Sequence, residues 1–266
     1  MYVRIEKPSA RTSVIVLDRP GRMNSMAFDL VVPLHEAIRT VAADNETTCV
    51  VLTGSGRAFC AGADTEDAEP PPNVEGLTLT RIATRSMTIL AELVPALQRM
   101  PQPVICAVNG AAIGGGLCLT LGADVRLAAE SAYFRAAGIN NGLTALELGL
   151  SFLLPRAIGS SRAFELMLSG RDVPAEEAAR IGLVSRVVPD EALMDEALAL
   201  AERINGWSAQ GVQLTKRLMW SGLEAGSLRA AIEMETHTQL FVRLTTKNFE
   251  EAVRARREKR KPNFQD

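Results

Sequence analysis

Val104-Ile105-Cys106-Ala107-Val108-Asn109-Gly110-Ala111-Ala112-Ile113-Gly114-Gly115-Gly116 decides the reading of this chain: an apolar, strand-like run that opens into a glycine-rich loop. The pattern has a counterpart about fifty residues earlier, where Cys49-Val50-Val51-Leu52 leads to Phe59-Cys60-Ala61-Gly62-Ala63-Asp64. Glycine lets backbone N–H groups approach a ligand with no Cβ in the way. Two such loops converging would hold one oxyanion between two donors, as acyl-transfer and enolate chemistry both require. A dinucleotide fingerprint does not fit, because no G-x-G-x-x-G opens a helix with an acidic residue about twenty positions on. Tight packing alone remains the other use of a glycine triplet.

Around these loops, strand-like runs alternate with helical periodicity, the pattern of an α/β protein. Met1 to Glu6 alternates like an edge strand and Ser13 to Leu17 reads as a strand. Leu30, Val31, Leu34, Ile38 and Val41 recur on one helical face. The stretch from Glu66 to Gly76 carries Pro70, Pro71 and Pro72 and is expected to be a mobile segment beside the site. One long amphipathic helix is expected from about Leu77 to Met100, passing through Pro101 and Pro103 into the second strand. The glycine triplet should begin a helix whose positive end faces the site. From about residue 190 the pattern is helical through Glu258. The expected division is therefore a core over 1–190 and a helical module over 191–266.

Composition fits a soluble enzyme of the cytoplasm. The chain has 266 residues, 47% of them hydrophobic, enough for one sizeable core. A net charge of −2 gives no global field favouring nucleic acid or an anionic membrane. Cys49, Cys60, Cys106 and Cys118 lack metal-ligand spacing, so no metal is expected and reduced thiols fit best. The N-terminus has no signal-peptide core, and no run reaches the roughly 18 apolar residues of a membrane span. The basic run Arg254, Arg256, Arg257, Lys259, Arg260 and Lys261 is interrupted by Glu258, preceded by Glu250 and Glu251, and has no interleaved aromatics.

The two loops, in this order and spacing, resemble those of the crotonase superfamily, also called the enoyl-CoA hydratase/isomerase family. Arg19-Pro20 with Met23-Asn24-Ser25-Met26 is similar to its R-P-x-x-x-N-(A/S)-(L/M) segment, and Leu154-Pro155-Arg156-Ala157-Ile158-Gly159 to its L-P-R-x-(I/V)-G. Gly170-Arg171, Ala175 to Ala179 and Gly182-Leu183-Val184 follow its later pattern, and Glu258 to Phe264 its terminal E-K-R-x-P-x-F. The resemblance covers almost the whole chain. It implies a crotonase fold of stacked ββα units, a C-terminal helical module that supports a homotrimer or hexamer, and an acyl-CoA substrate with no separate cofactor.

Residue by residue, the resemblance implies an oxyanion hole made by the backbone N–H groups of Ala63 and Gly115. Arg22, Ala61, Asp64, Gly114 and Lys259 are the expected contacts to the acyl-CoA, with capping of the following turn as the alternative for Asp64. The chain departs from the hydratase pattern at both carboxylates: Cys118 stands where one glutamate is expected and Gly138 where the second is. Glu147, in the apolar run Leu143 to Leu150, matches the catalytic carboxylate of relatives that shift double bonds. One carboxylate can remove a proton and return it elsewhere on a dienolate, and apolar neighbours raise its pKa toward a useful range. A surface charge or a subunit-interface ion pair is the alternative role for Glu147. The expected function is double-bond migration in an enoyl-CoA, with hydration, or acyl-CoA binding without catalysis, as the other readings. Cys118 reads as a buried small hydrophobe. His35 and His237 read as structural.

Overall fold

The computed structural model describes residues 2–66 and 69–265. The chain opens with a hairpin of β1 (Val3–Ser9) and β2 (Thr12–Leu17), followed by α1 (Phe28–Ala42). Three strand–strand–helix units come next. The first is β3 (Cys49–Gly54), β4 (Ala58–Cys60), α2 (Leu79–Ala91) and α3 (Leu93–Arg99); the second is β5 (Val104–Val108), β6 (Ala111–Ile113) and α4 (Gly115–Gly122). The third is β7 (Val125–Ala129), β8 (Tyr133–Arg135), α5 (Leu150–Ile158) and α6 (Ser160–Ser169). β9 (Val173–Pro174), α7 (Ala175–Arg180) and β10 (Arg186–Val188) complete the sheets. Four helices follow: α8 (Leu193–Asn205), α9 (Ala209–Glu224), α10 (Leu228–Thr245) and α11 (Asn248–Arg257).

Each unit gives its first strand to one sheet and its second strand to another. The larger sheet has the order β1-β2-β3-β5-β7-β10 and the smaller β4-β6-β8-β9. These are the stacked ββα units expected. Strands β2 and β5 are buried along their whole length, as inner strands of a sheet covered on both faces must be. Leu17, Leu52 and Ile105 are fully enclosed, and burying each such side chain contributes about 1.5–3 kcal/mol. β1, by contrast, buries only Val3 and forms an edge; Met1, where that strand was expected to begin, lies outside the described residues.

One expectation needs correction. The helix expected from Leu77 to Met100 is interrupted at Glu92, because Pro95 has no N–H to continue the ladder and is tolerated only in the first turn of a new helix. The two halves also bury different amounts: Leu93, Val94 and Leu97 of α3 are enclosed, whereas α2 buries no residue fully. Beyond the boundary expected at residue 190 comes α8. α8 packs on β3 and β5, and its Leu193, Ala197 and Ala201 belong to the main core. Asn205 at its end bonds the Thr12 and Thr48 side chains at 2.9 and 2.7 Å. Within the 66–76 stretch expected to be mobile, residues 67 and 68 lie outside the described residues. Among the described residues no helix is long and apolar enough to cross a membrane.

Candidate active site

Sheet register brings the two glycine loops together. β3 and β5 are parallel neighbours with Thr53 opposite Ala107, so both chains leave the larger sheet at one edge. They pair again in the smaller sheet, Ala58 with Ala111 and Cys60 with Ala112. The segments after β4 and β6 must then emerge side by side. Their approach is close enough to require glycine: a Cβ on Gly62 would lie 2.7 Å from the Ile113 carbonyl oxygen, and one on Gly116 would overlap the Cys60 carbonyl oxygen.

The orientation of the Ala63 peptide follows from its neighbours. Met26 N–H donates to Gly62 O (2.7 Å) and Asp64 N–H donates to Met26 O (3.0 Å), a parallel bridge between Met26 and Ala63. Successive peptide groups of an extended chain face opposite edges, so Ala63 N–H turns away from Met26, toward the side where β6 and Gly114 lie. Gly115 is the first residue of α4, and a first-turn N–H has no intrahelical acceptor. No described residue accepts a hydrogen bond from either group. Two N–H groups on adjoining loops and the positive end of a helix thus border one region. Met26 also borders it, since a Cβ on Gly115 would come within 2.7 Å of its sulfur.

Glu147 reaches the same place from the third unit. A Cβ on Gly114 would lie 3.1 Å from Glu147 Oε1, so the carboxylate stands against the backbone of the second loop. Glu147 lies in the turn before α5, and its own carbonyl accepts from Leu150 N–H at 2.8 Å. Its side chain is half-buried, and burial pushes its carboxyl above the usual range, with no opposing charge among the described residues.

Asp64 is held rather than exposed. Its side chain is 3% accessible and accepts from Arg19 Nη1 (2.7 Å), Arg22 Nη2 (2.6 Å), Ser25 Oγ (2.9 Å) and the N–H of Glu66 (3.0 Å). This arrangement makes Asp64 a clamp on the loop that carries Ala63. Asn24, fully enclosed, braces the loop from behind by donating to Ser55 O and Ala58 O at 2.9 and 2.8 Å. Removing one member of a buried ion pair weakens the compensation of the other, and among the described carboxylates Arg19 would keep only Asp29, at 3.4 Å. Asp64→Ala should therefore cost about 3 kcal/mol in chemical denaturation; an unchanged midpoint would show that the pairing with Asp29 suffices for Arg19.

Arg22, expected near the CoA, is engaged within this chain by Asp64 and Glu66. Lys259 lies in the exposed turn beyond α11, its N–H donating to Arg256 O, and no hydrogen bond or ion pair among the described residues joins it to either loop. Ala61 and Gly114 lie in the converging loops; Ala61 N–H donates to Met23 O (3.0 Å) and Gly114 N–H to Arg135 O (2.9 Å). His35 bonds Ile89 O at 2.8 Å, tying α1 to α2. Asn140 donates to Gly170 O at 3.1 Å. The basic C-terminal run is partly neutralised, because Glu251 pairs with both Arg254 and Arg260. Among the described residues no group of three or more His, Cys, Asp or Glu is placed to hold a metal.

A family model described as enoyl-CoA hydratase/isomerase matches residues 8–266. The chain belongs to the enoyl-CoA hydratase/isomerase family. It is 62% identical over 264 residues to the probable enoyl-CoA hydratase EchA12 of Mycobacterium tuberculosis, covering 99% of this chain and 93% of that protein. Among solved structures, a probable enoyl-CoA hydratase/isomerase from Mycobacterium abscessus superposes with a TM-score of 0.95 at 54% identity, covering 99% of this chain and 98% of the other. A monofunctional enoyl-CoA isomerase from M. smegmatis gives a TM-score of 0.74 at 51% identity, covering 87% of this chain and 98% of the other. The fold is the crotonase fold of this family.

Proposed function

We propose that this chain moves a double bond in an enoyl-CoA thioester. The observation that carries the reading is a single half-buried carboxylate, Glu147, set against Gly114, with Cys118 and Gly138 at the two positions where the hydratase pattern has glutamates. The thioester oxygen would accept from Ala63 and Gly115 N–H, which serve as the oxyanion hole. Each donor of this kind contributes about 3 kcal/mol to the transition state. With the carbonyl so polarised, Glu147 takes a proton from C2 of a 3-enoyl thioester. The C2–H electron pair enters the dienolate, the protonated Glu147 then returns the proton at C4, and the product is the 2-enoyl thioester. The reaction is redox-neutral and asks for no cofactor beyond the CoA carried by the substrate.

Hydration is the second reading, favoured by the name of the M. tuberculosis relative. It would require Glu147 alone both to activate water and to supply the proton to C2, two roles that a single carboxylate serves poorly. Product analysis with 3-enoyl-CoA and 2-enoyl-CoA separates the readings. Migrated alkene supports the first, 3-hydroxyacyl-CoA the second, and binding without either product supports a carrier role.

Self-association belongs to the same reading. Met219, Leu223, Leu228, Leu240, Phe241 and Leu244, on α9 and α10, are each at least 47% exposed. Large apolar surface of this kind marks an interaction face. Light scattering of the purified 28.6 kDa chain should give a mass three or six times that of the chain; a monomer would remove the trimer assignment.

A further inference from the structure

Neither position lacking a hydratase glutamate is a vacant slot. A Cβ on Gly138 would overlap the Thr144 carbonyl oxygen and lie 2.7 Å from its carbonyl carbon and 3.1 Å from Ala145 Cα. The chain over 143–145 therefore crosses directly above Gly138, and Leu143 N–H donates to Gly138 O at 3.0 Å. Two residues beyond that crossing stands Glu147.

Cys118 grips the same turn from α4. It is fully enclosed in α4, and its Sγ–H donates to Glu147 O at 3.4 Å, sharing that carbonyl with Leu150 N–H. Burial pushes the Cys118 thiol well above its ordinary value, so it stays a protonated donor at neutral pH. The turn needs such support: Leu148 and Gly149 have φ of 44° and 86°, and a left-handed leucine costs on the order of 1 kcal/mol. Cys118 N–H in turn bonds Gly114 O at 3.1 Å, so one residue touches both the oxyanion loop and the turn that carries the base.

We propose that Gly138 and Cys118 are positioning residues that set the reaction type, Gly138 by admitting the Thr144 backbone and Cys118 by holding the Glu147 carbonyl. Together they keep one carboxylate beside Gly114 and leave no room for a second. The inference rests on the double-bond-migration reading above.

Its test uses the full chain with Cys118→Ala, Cys118→Ser and the double variant Cys118→Glu/Gly138→Glu. Cys118→Ala should lower kcat for migration roughly tenfold with KM unchanged, as expected for a displaced base. Cys118→Ser, which keeps a donor, should restore most of it. The carboxyl infrared band of protein labelled with 13C-glutamate, assigned by its loss in Glu147→Gln, should titrate lower in Cys118→Ala as the carboxyl gains solvent. Among the described residues, Cys60 and Cys118 are the titratable groups whose pKa Glu147 helps to raise, and both are buried thiols. The double variant, if folded, should yield no 3-hydroxyacyl-CoA. Unchanged kcat and titration in Cys118→Ala, or hydration by the folded double variant, would overturn the proposal. A wild-type protein without migration would reject the functional reading instead, and the titration, which needs no turnover, still decides the positioning claim.

Discussion

Glu147→Gln should lower turnover by at least about 10³, near the upper part of what general acid–base catalysis contributes, while acyl-CoA binding changes little. The amide keeps the size of the side chain and removes its proton chemistry. In the wild type, burial raises the Glu147 pKa, and the base form is the active one, so kcat/KM should climb with pH through a value above 4.5. The same shift predicts the stability effect. The folded protein holds a proton on Glu147 at pH values where the unfolded chain has released it, so stability falls as pH rises through that window and remains lower above it. Glutamine escapes this cost, and the variant should melt no lower than wild type at neutral pH. An inactive variant that melts several degrees lower would point instead to a structural Glu147.

The second large effect concerns the contact between the two loops. Gly116→Ala places a methyl group into the Cys60 carbonyl oxygen, a backbone atom that cannot rotate away. Relief requires the loops to separate, and a shift near 1 Å between donor and substrate costs about 10² in rate. Because Cys60 and Gly116 are both enclosed in the core, the same change should destabilise the fold by about 1–3 kcal/mol, as overpacking does. Steady-state kinetics and thermal melts together check this. Normal kcat with a normal melting temperature would mean that the loops do not hold the spacing described.

Strands β3 and β5 and both loops were legible because their signals are local: unbroken apolar runs, and glycines where another backbone passes. The face of α1 was equally plain, and Leu30, Val31, Leu34, Ile38 and Val41 are all buried. The break at Glu92 was legible in principle through Pro95, but a continuous apolar rhythm on either side hid it. α8 shows the opposite limit. Leu193, Ala197 and Ala201 announce an amphipathic helix, and nothing in that spacing says whether it covers the core or a separate module.

Long-range polar contacts were the least legible part of the site. The partners of Asp64 lie 39 to 45 residues earlier, at Ser25, Arg22 and Arg19, and charge pairs across such a distance leave no periodic trace. Cys118 is the buried small residue that its neighbours suggested, yet it also bonds a carbonyl 29 residues away. Met26 was readable as part of a motif, but its bridge to Ala63, which orients one donor, depends on two loops meeting in space.

The central claim is that one carboxylate beside two backbone donors moves a double bond and does not add water. The most direct test incubates the purified protein separately with 3-enoyl-CoA and 2-enoyl-CoA esters and quantifies migrated alkene and 3-hydroxyacyl-CoA in each. The account predicts migration that is lost in Glu147→Gln, with little hydroxylated product. Efficient hydration, or migration that survives Glu147→Gln, would contradict it.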